Sequence, residues 1–236
     1  SETPRGNFLA YRLTSGTLVE TIAPSFDAQV RAVAVSPAGD RLYVGGDFTS
    51  VDGVSRSRLA AFALPSMQLV ASFAPPVGYH VHALAVAPDG NTLFVGGNFN
   101  SVGARARNKL AAFDTASGAL LDWAPQALGG LVGAMVLSPE GDRLVVGGKF
   151  TSLNGSTNPG YGLGALDTVT GELLPWSANS LIRNGTDEAA ITSLASDGEY
   201  VYGTGFSRVS VGAGNLEGGF SASWDDGVLH WVADCH

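Results

Sequence analysis

Three features of this 236-residue sequence predict an all-β chain folded as a β-propeller: a motif recurring at a fixed period, turn residues at matching points, and sparse charge. The motif reads Tyr43-Val44-Gly45-Gly46-Asp47-Phe48, Phe94-Val95-Gly96-Gly97-Asn98-Phe99 and Val145-Val146-Gly147-Gly148-Lys149-Phe150, with a degraded copy at Val201-Tyr202-Gly203-Thr204-Gly205-Phe206. Its phenylalanines stand 51, 51 and 56 residues apart. Leu59-Ala60-Ala61-Phe62 returns as Leu110-Ala111-Ala112-Phe113, and Leu9-Ala10-Tyr11 echoes it a further 51 residues upstream.

Each repeat reads as four antiparallel strands, the unit of a propeller blade. The first strand covers Val30 to Val35, Val81 to Val86 and Leu131 to Leu137 in successive copies. It ends in the turns Ser36-Pro37-Ala38-Gly39-Asp40, Ala87-Pro88-Asp89-Gly90-Asn91 and Ser138-Pro139-Glu140-Gly141-Asp142, where proline presets φ and glycine accepts a positive one. The second strand carries the Gly-Gly pair. Glycine inside a strand marks a close approach of backbone or neighbour, so its recurrence points to packing between blades, with the following Phe in the inter-blade core. The third strand, Arg58 to Leu64 or Lys109 to Asp114, turns through Thr115-Ala116-Ser117-Gly118 or Thr168-Val169-Thr170-Gly171 into the fourth. Trp123, Trp176 and Trp231 close the fourth strands and are expected to cover the blade edge.

This phasing divides a single propeller region, 1–236, into a half-blade at 1–25 and four blades at about 26–76, 77–127, 128–178 and 179–236. Phe8 to Leu13 and Thr17 to Ile22 resemble third and fourth strands without their partners. The ring is therefore expected to be larger than these repeats, completed by a missing C-terminal segment or by a second chain. Cys235 is either a free thiol or half of a disulfide whose partner lies beyond His236.

Composition narrows the partners. Charged residues are 14% of the chain and the net charge is −8, which opposes nucleic acid and anionic lipid. No stretch reaches the roughly 20 apolar residues of a membrane-spanning helix. Two lysines against eleven arginines, with abundant alanine and glycine, suggest a GC-rich bacterial source.

The run from Val30 to Asn108, centred on Asp40-Arg41-Leu42-Tyr43-Val44-Gly45-Gly46-Asp47-Phe48-Thr49-Ser50-Val51-Asp52-Gly53, resembles the delta-60-type propeller repeats of secreted actinobacterial proteins. The resemblance spans almost the whole chain. It implies a propeller in an extracellular or cell-surface setting, and it implies no activity, the family having no known function. The third and fourth repeats depart from it through longer loops at Asn154 to Tyr161 and Asn179 to Glu188.

Hydrolase, redox and nucleotide motifs are absent, so no cofactor and no catalytic residue set are expected. In a propeller, the loop between second and third strands and the loop between blades share one face, where variable loops on a rigid scaffold form ligand sites. That face gathers Arg56, Arg58, Arg105, Arg107, Tyr161, Arg183, Asn184, Asp187 and Glu188. Its arginines suit the carboxylates of an acidic polysaccharide or protein, or they merely solvate exposed loops. His80 and His82 share one side of a strand, but Gln29, Arg31, Leu131 and Gly133 at equivalent positions offer no third metal ligand, so both read as channel-mouth residues and no metal is expected. Asp225-Asp226-Gly227 reads as a hairpin turn.

The leading expectation is a secreted, non-enzymatic propeller that binds a glycan or a protein through its loop-rich face. The alternatives are an extracellular polysaccharide-acting enzyme using Asp187, Glu188, Arg183 and Tyr161, and a structural or assembly module.

Overall fold

The computed structural model describes residues 6–208 and 215–235. Its regular structure is antiparallel β throughout, apart from one 3-10 turn, Ser177–Ser180. Sheet I runs Val30–Val35, Arg41–Gly46, Leu59–Ala63 and Gln68–Leu69, paired in that order. Sheet II has Val81–Val86, Thr92–Gly97 and Leu110–Asp114, with a single bridge from Phe113 to Leu120 in place of a fourth strand. Sheet III has Val132–Leu137, Arg143–Gly148, Leu163–Asp167 and Leu173–Leu174. Sheet IV has Ala189–Ser196, Tyr200–Ser207, Gly218–Ser223 and Leu229–Asp234. In each sheet the chain steps to the neighbouring strand, so the order along the chain is also the order in space.

The Gly-Gly pair has two separate tasks. A Cβ on Gly45, Gly96 or Gly147 would overlap Val81, Val132 or Ile191, the first-strand side chain of the following sheet. A Cβ on Gly46, Gly97 or Gly148 would overlap a carbonyl of its own sheet, that of Gln29, His80 or Leu131. Those carbonyls lie beside a β-bulge that recurs in all four first strands, at Val30/Ala32, Val81/Ala83, Val132/Ala134 and Ile191/Ser193. One glycine thus lets sheet meet sheet, and the other makes room for the bulge. Phe48, Phe99 and Phe150 next to them are wholly buried, as the motif predicts.

A second periodic contact corrects the expected role of the tryptophans. Trp123 and Trp176 do not cover an outer edge: they are buried and wedge between sheets, each indole Nε1 donating to a carbonyl of the next sheet, Asp167 at 3.0 Å and Ser223 at 3.1 Å. Phe73 holds the same place after sheet I. Each ring lies against the hairpin glycine of the following sheet, Gly118, Gly171 or Gly227, all with φ near +70°. Trp231 does not join this series and is 45% exposed on the last strand.

The fourth copy is also shifted by one residue from the expected alignment. Pairing places Gly205 opposite Ile191, as Gly148 stands opposite Val132, so Ser207 takes the slot of Phe150 and Phe206 that of Lys149. Side chains alternate along a strand, so this step exchanges inward and outward positions. Ser207 is buried and Phe206 only half-buried. Volume is restored across the strands, because the pair Val146 and Gly164 of sheet III becomes Gly203 and Phe220 in sheet IV.

Residues 10–19 form a hairpin held by one bridge, Tyr11 to Leu18, without regular strands. Its hydrogen bonds, Arg12 N to Thr17 O, Gly16 N to Arg12 O and Val19 N to Ala10 O, repeat those of Asp114 N to Ala119 O, Gly118 N to Asp114 O and Leu121 N to Ala112 O. Leu9, Tyr11 and Leu13 are exposed where the equivalent Phe113 is fully buried.

Replacing Gly96 by Ala pushes a methyl group into Val132 and Met135 of the adjoining sheet. Overpacking of this kind costs about 1–3 kcal/mol, to be read as a lower midpoint in urea unfolding with the slope unchanged.

Candidate functional site

The predicted site residues separate into a buried group and a clustered group. Arg56 and Arg107 are only 6% exposed, which corrects their expected place on a ligand-facing surface. The Arg56 guanidinium donates to the carbonyls of Ser55 and Val70, and that of Arg107 to those of Ala106 and Leu121. Burial lowers the pKa of Arg107 from its ordinary value, with Arg105 adding to the effect. The signal was in the spacing, since these arginines recur at the 51-residue period of the packing residues and so serve the architecture. Arg58 is half-buried with φ of 64°, and Arg105 is exposed and paired with Asp122 at 2.7 Å.

Tyr161, Arg183 and Glu188 come together. They line a cavity of about 350 Å³ with Gly185, Thr186, Ala189 and Asn215. The cavity forms where the two period-breaking loops meet, and two asparagines, each fully buried, lock those loops in place. Asn179 accepts from the backbone N–H of Gly160 and Tyr161, at 2.7 and 3.0 Å, and donates to the carbonyls of Tyr161 and Ile182. Asn184 donates to the carbonyls of Phe206 and Leu216 and accepts from Leu216 N–H at 2.6 Å. Asn184 therefore stands behind the cavity as a structural clamp.

Above this frame the Arg183 guanidinium lies 5.0 Å from the Tyr161 ring centroid, a cation–π contact that holds the charge at the cavity wall. Thr186 has φ of 101°, outside the regions a β-branched residue normally adopts. It is kept there by its N–H bond to the Lys149 carbonyl and by its hydroxyl, which accepts from Glu188 N–H. Asp187 lies apart, paired with Lys149 at 3.0 Å. The lining thus holds one cation, one carboxylate and one phenol, and Glu188 is its sole carboxylate among the described residues. Asn179 and Thr186 carried no motif and only loop length marked their neighbourhood, while Asn215 lies outside both loops and carried no signal.

A second group surrounds the axis. The four first strands border an open cavity of about 360 Å³ lined in part by Arg31, Gly133 and Thr192, which with His82 are the four bulge residues. A bulge re-aims the side chain it inserts. Arg31 forks onto Asp47 with two bonds of 2.6 Å, His80 Nδ1 stands 3.4 Å from the same carboxylate, and Tyr79 stacks on His80. The Arg31 bond holds the Asp47 carboxyl below its usual pKa, while burial and then Arg31 lower that of His82. Among the described residues, no three His, Cys, Asp or Glu side chains are placed to hold a metal ion.

A family model for the domain of unknown function (DUF5122) beta-propeller matches residues 40–60, the segment spanning the Gly-Gly strand of sheet I. Among solved structures, U3-55K is similar at 10% identity and a TM-score of 0.51, over 74% of this chain and 45% of that one. The fold is that of a β-propeller. Dihydro-heme d1 dehydrogenase NirN in complex with DHE is similar at 18% identity and a TM-score of 0.51, over 87% of this chain and 37% of that one. These identities speak for the fold alone, and this propeller chain spans less than half the length of either. No curated protein matches its sequence.

Two outcomes test this geometry. Asn179→Ala strands the buried N–H groups of the cavity loops and lowers stability by about 1–3 kcal/mol, read in urea, with faster hydrogen exchange at Gly160 and Tyr161. The folded chain favours neutral His82, so the unfolded chain binds that proton more tightly. This contribution is neutral above pH 6.5 and becomes destabilising as the pH falls through it. The melting temperature of the parent chain is expected to fall more than that of His82→Asn between pH about 7.5 and about 5.5.

Proposed function

We propose that this propeller is a non-enzymatic binding protein of the extracellular or cell-surface space, taking a carboxylate-bearing glycan or protein segment at the Tyr161–Arg183–Glu188 cavity. The observation that carries the reading is the convergence of the two period-breaking loops on one cavity, locked by buried Asn179 and Asn184, with a cation at its wall. Variable loops fixed to a repetitive scaffold form sites for recognition. A guanidinium held by an aromatic ring is preorganised for a carboxylate fork. Acid–base hydrolysis with paired carboxylates is disfavoured by the lining, where Glu188 stands without a second one.

The same proposal treats sheets I to IV as four blades of delta-60-type repeats from a secreted bacterial protein, within a larger ring. The N-terminal hairpin, with the bonding of a third and fourth strand and with exposed Leu9 and Tyr11, favours a further blade whose first two strands come from another segment or a second chain. Cys235 is exposed and free, available to a disulfide partner in that segment.

Thermal-shift measurement with polygalacturonate tests the cavity, with dextran as the uncharged control. A ligand at about 100 times its Kd adds roughly 2.7 kcal/mol to the folded state, a rise in melting temperature of several degrees. The rise is expected with polygalacturonate or with an Asp/Glu-rich peptide, lost in Arg183→Ala and reduced in Arg183→Lys. No shift with either, or a shift unchanged in Arg183→Ala, overturns the assignment.

A further inference from the structure

Arg41, Tyr43 and Gly45 alternate onto the face of sheet I that meets sheet II. Gly45 stands against Val81 at one end of this row, and at the other Arg41 Nη1 donates to the Thr115 carbonyl at 2.5 Å. Between them Tyr43 lies in the core shared by the two sheets, edge-on to Phe73 at 5.4 Å between ring centroids. Where the sheets part at their hairpin turns, a cavity of about 420 Å³ opens. Tyr43 and Arg41 form its inner end, and Pro37, Asp40, Pro88 and Asp89 stand at its mouth. Both walls are sheets of this chain, so a further blade in the ring would not cover it.

Tyr43 carries a hydroxyl that packing does not require. The equivalent residues, opposite Ala85 and Val136 as Tyr43 is opposite Ala34, are Phe94 and Val145. Phe94 meets Trp123 edge-on just as Tyr43 meets Phe73, so a ring without an oxygen satisfies the same contact. Tyr43 is 1% exposed and lines the cavity, yet its hydroxyl has no hydrogen-bond partner among the described residues. A nearly buried hydroxyl without a protein partner is unfavourable unless something in the cavity bonds it. Arg41 departs from the repeat as well. Thr92 takes its place in sheet II, where the corresponding cavity with Phe94 is only about 230 Å³, and Arg143 in sheet III is followed by Val145. Of the four sheets, only sheet I sets an arginine and a tyrosine side by side on this face.

We infer that this cavity is a binding site, separate from the Arg183 cavity, for a small zwitterion carrying one carboxylate and one ammonium group. The inner end offers the Tyr43 hydroxyl and the Arg41 guanidinium, which forms no ion pair among the described residues. Both are donors suited to a carboxylate. The mouth offers two exposed carboxylates that are held in place, Asp40 by the Ser36 hydroxyl at 2.6 Å and Asp89 by Asn91 at 2.9 and 3.0 Å. They repel a second anionic group and attract a cation. Pro37 and Pro88 supply apolar walls for a short carbon chain between the two ends. An anion alone gains nothing from the aspartates, and a cation alone leaves the phenol and guanidinium unmatched.

Isotope-labelled chain is titrated with γ-aminobutyrate, and with butyrate and butylamine as probes of each charge alone, while NMR follows the Gly90 amide and the Arg41 Nε–H. γ-Aminobutyrate is expected to shift both signals saturably and to bind about tenfold or more tighter than either single-charge probe. Tyr43→Phe is expected to weaken that binding about tenfold. Its melting temperature is expected to stay level or rise, since Phe94 already fills the equivalent place. Arg183→Ala is expected to leave the titration unchanged, which separates failure of this site from failure of the Arg183 cavity. No saturable shift with γ-aminobutyrate, or equal affinity for butyrate or butylamine, overturns the inference. A Tyr43→Phe variant that binds as the parent does also overturns it, and one that melts several degrees lower assigns the hydroxyl to stability instead of recognition.

Discussion

The architecture turns on one steric fact: at Gly45, Gly96 and Gly147 there is no room for a Cβ, because a β-branched side chain from the next sheet fills that space. Sheets that approach this closely meet through Val81, Val132 and Ile191, each buried on the first strand of the following sheet. The neighbouring glycine completes the arrangement by admitting the bulge carbonyl. Without the bulge, Arg31, His82, Gly133 and Thr192 would follow the plain alternation of their strands, and the cavity beside those strands would lose Arg31 and Thr192 from its lining. Packing and chemistry at the axis thus come from the same dipeptide.

The aromatic wedges act at the other radius. Phe73, Trp123 and Trp176 join each sheet to the outer hairpin of the next, and two of them add an indole hydrogen bond to a carbonyl at that hairpin. Inner glycine contacts and outer aromatic contacts together fix the angle between successive sheets. The fourth strands can then be short, two residues or a single bridge in sheets I to III, because the wedge and not the ladder secures that edge. Sheet IV has no such neighbour among the described residues, and its fourth strand runs to six residues.

Departures from the repeat are concentrated on the last two sheets. The lengthened loops meet between III and IV, and the register slips by one residue in IV. Residues that keep the period, including buried Arg56 and Arg107, do structural work even when charged. Residues that break it, such as Arg183 and Thr186, are the ones held in positions that packing alone does not require.

Strand order, the turn residues and the close approach at Gly-Gly were all legible in the residues themselves. Each depends on contacts within one repeat or between one repeat and the next, and such contacts recur with the period. The burial of Arg56 and Arg107, the inward turn of Trp123 and Trp176, and the true register of the fourth copy were not legible. A strand face reverses with a one-residue shift, and a periodic arginine looks the same whether its partner is water or a carbonyl. The cavity at Tyr161 and Arg183 was half visible: loop length marked the two segments, yet only folding brought Asn179 to the backbone of residue 161 and so set the guanidinium over the ring. That geometry is decided by two loops closing on each other across sheets, a long-range constraint that no local pattern of side chains encodes.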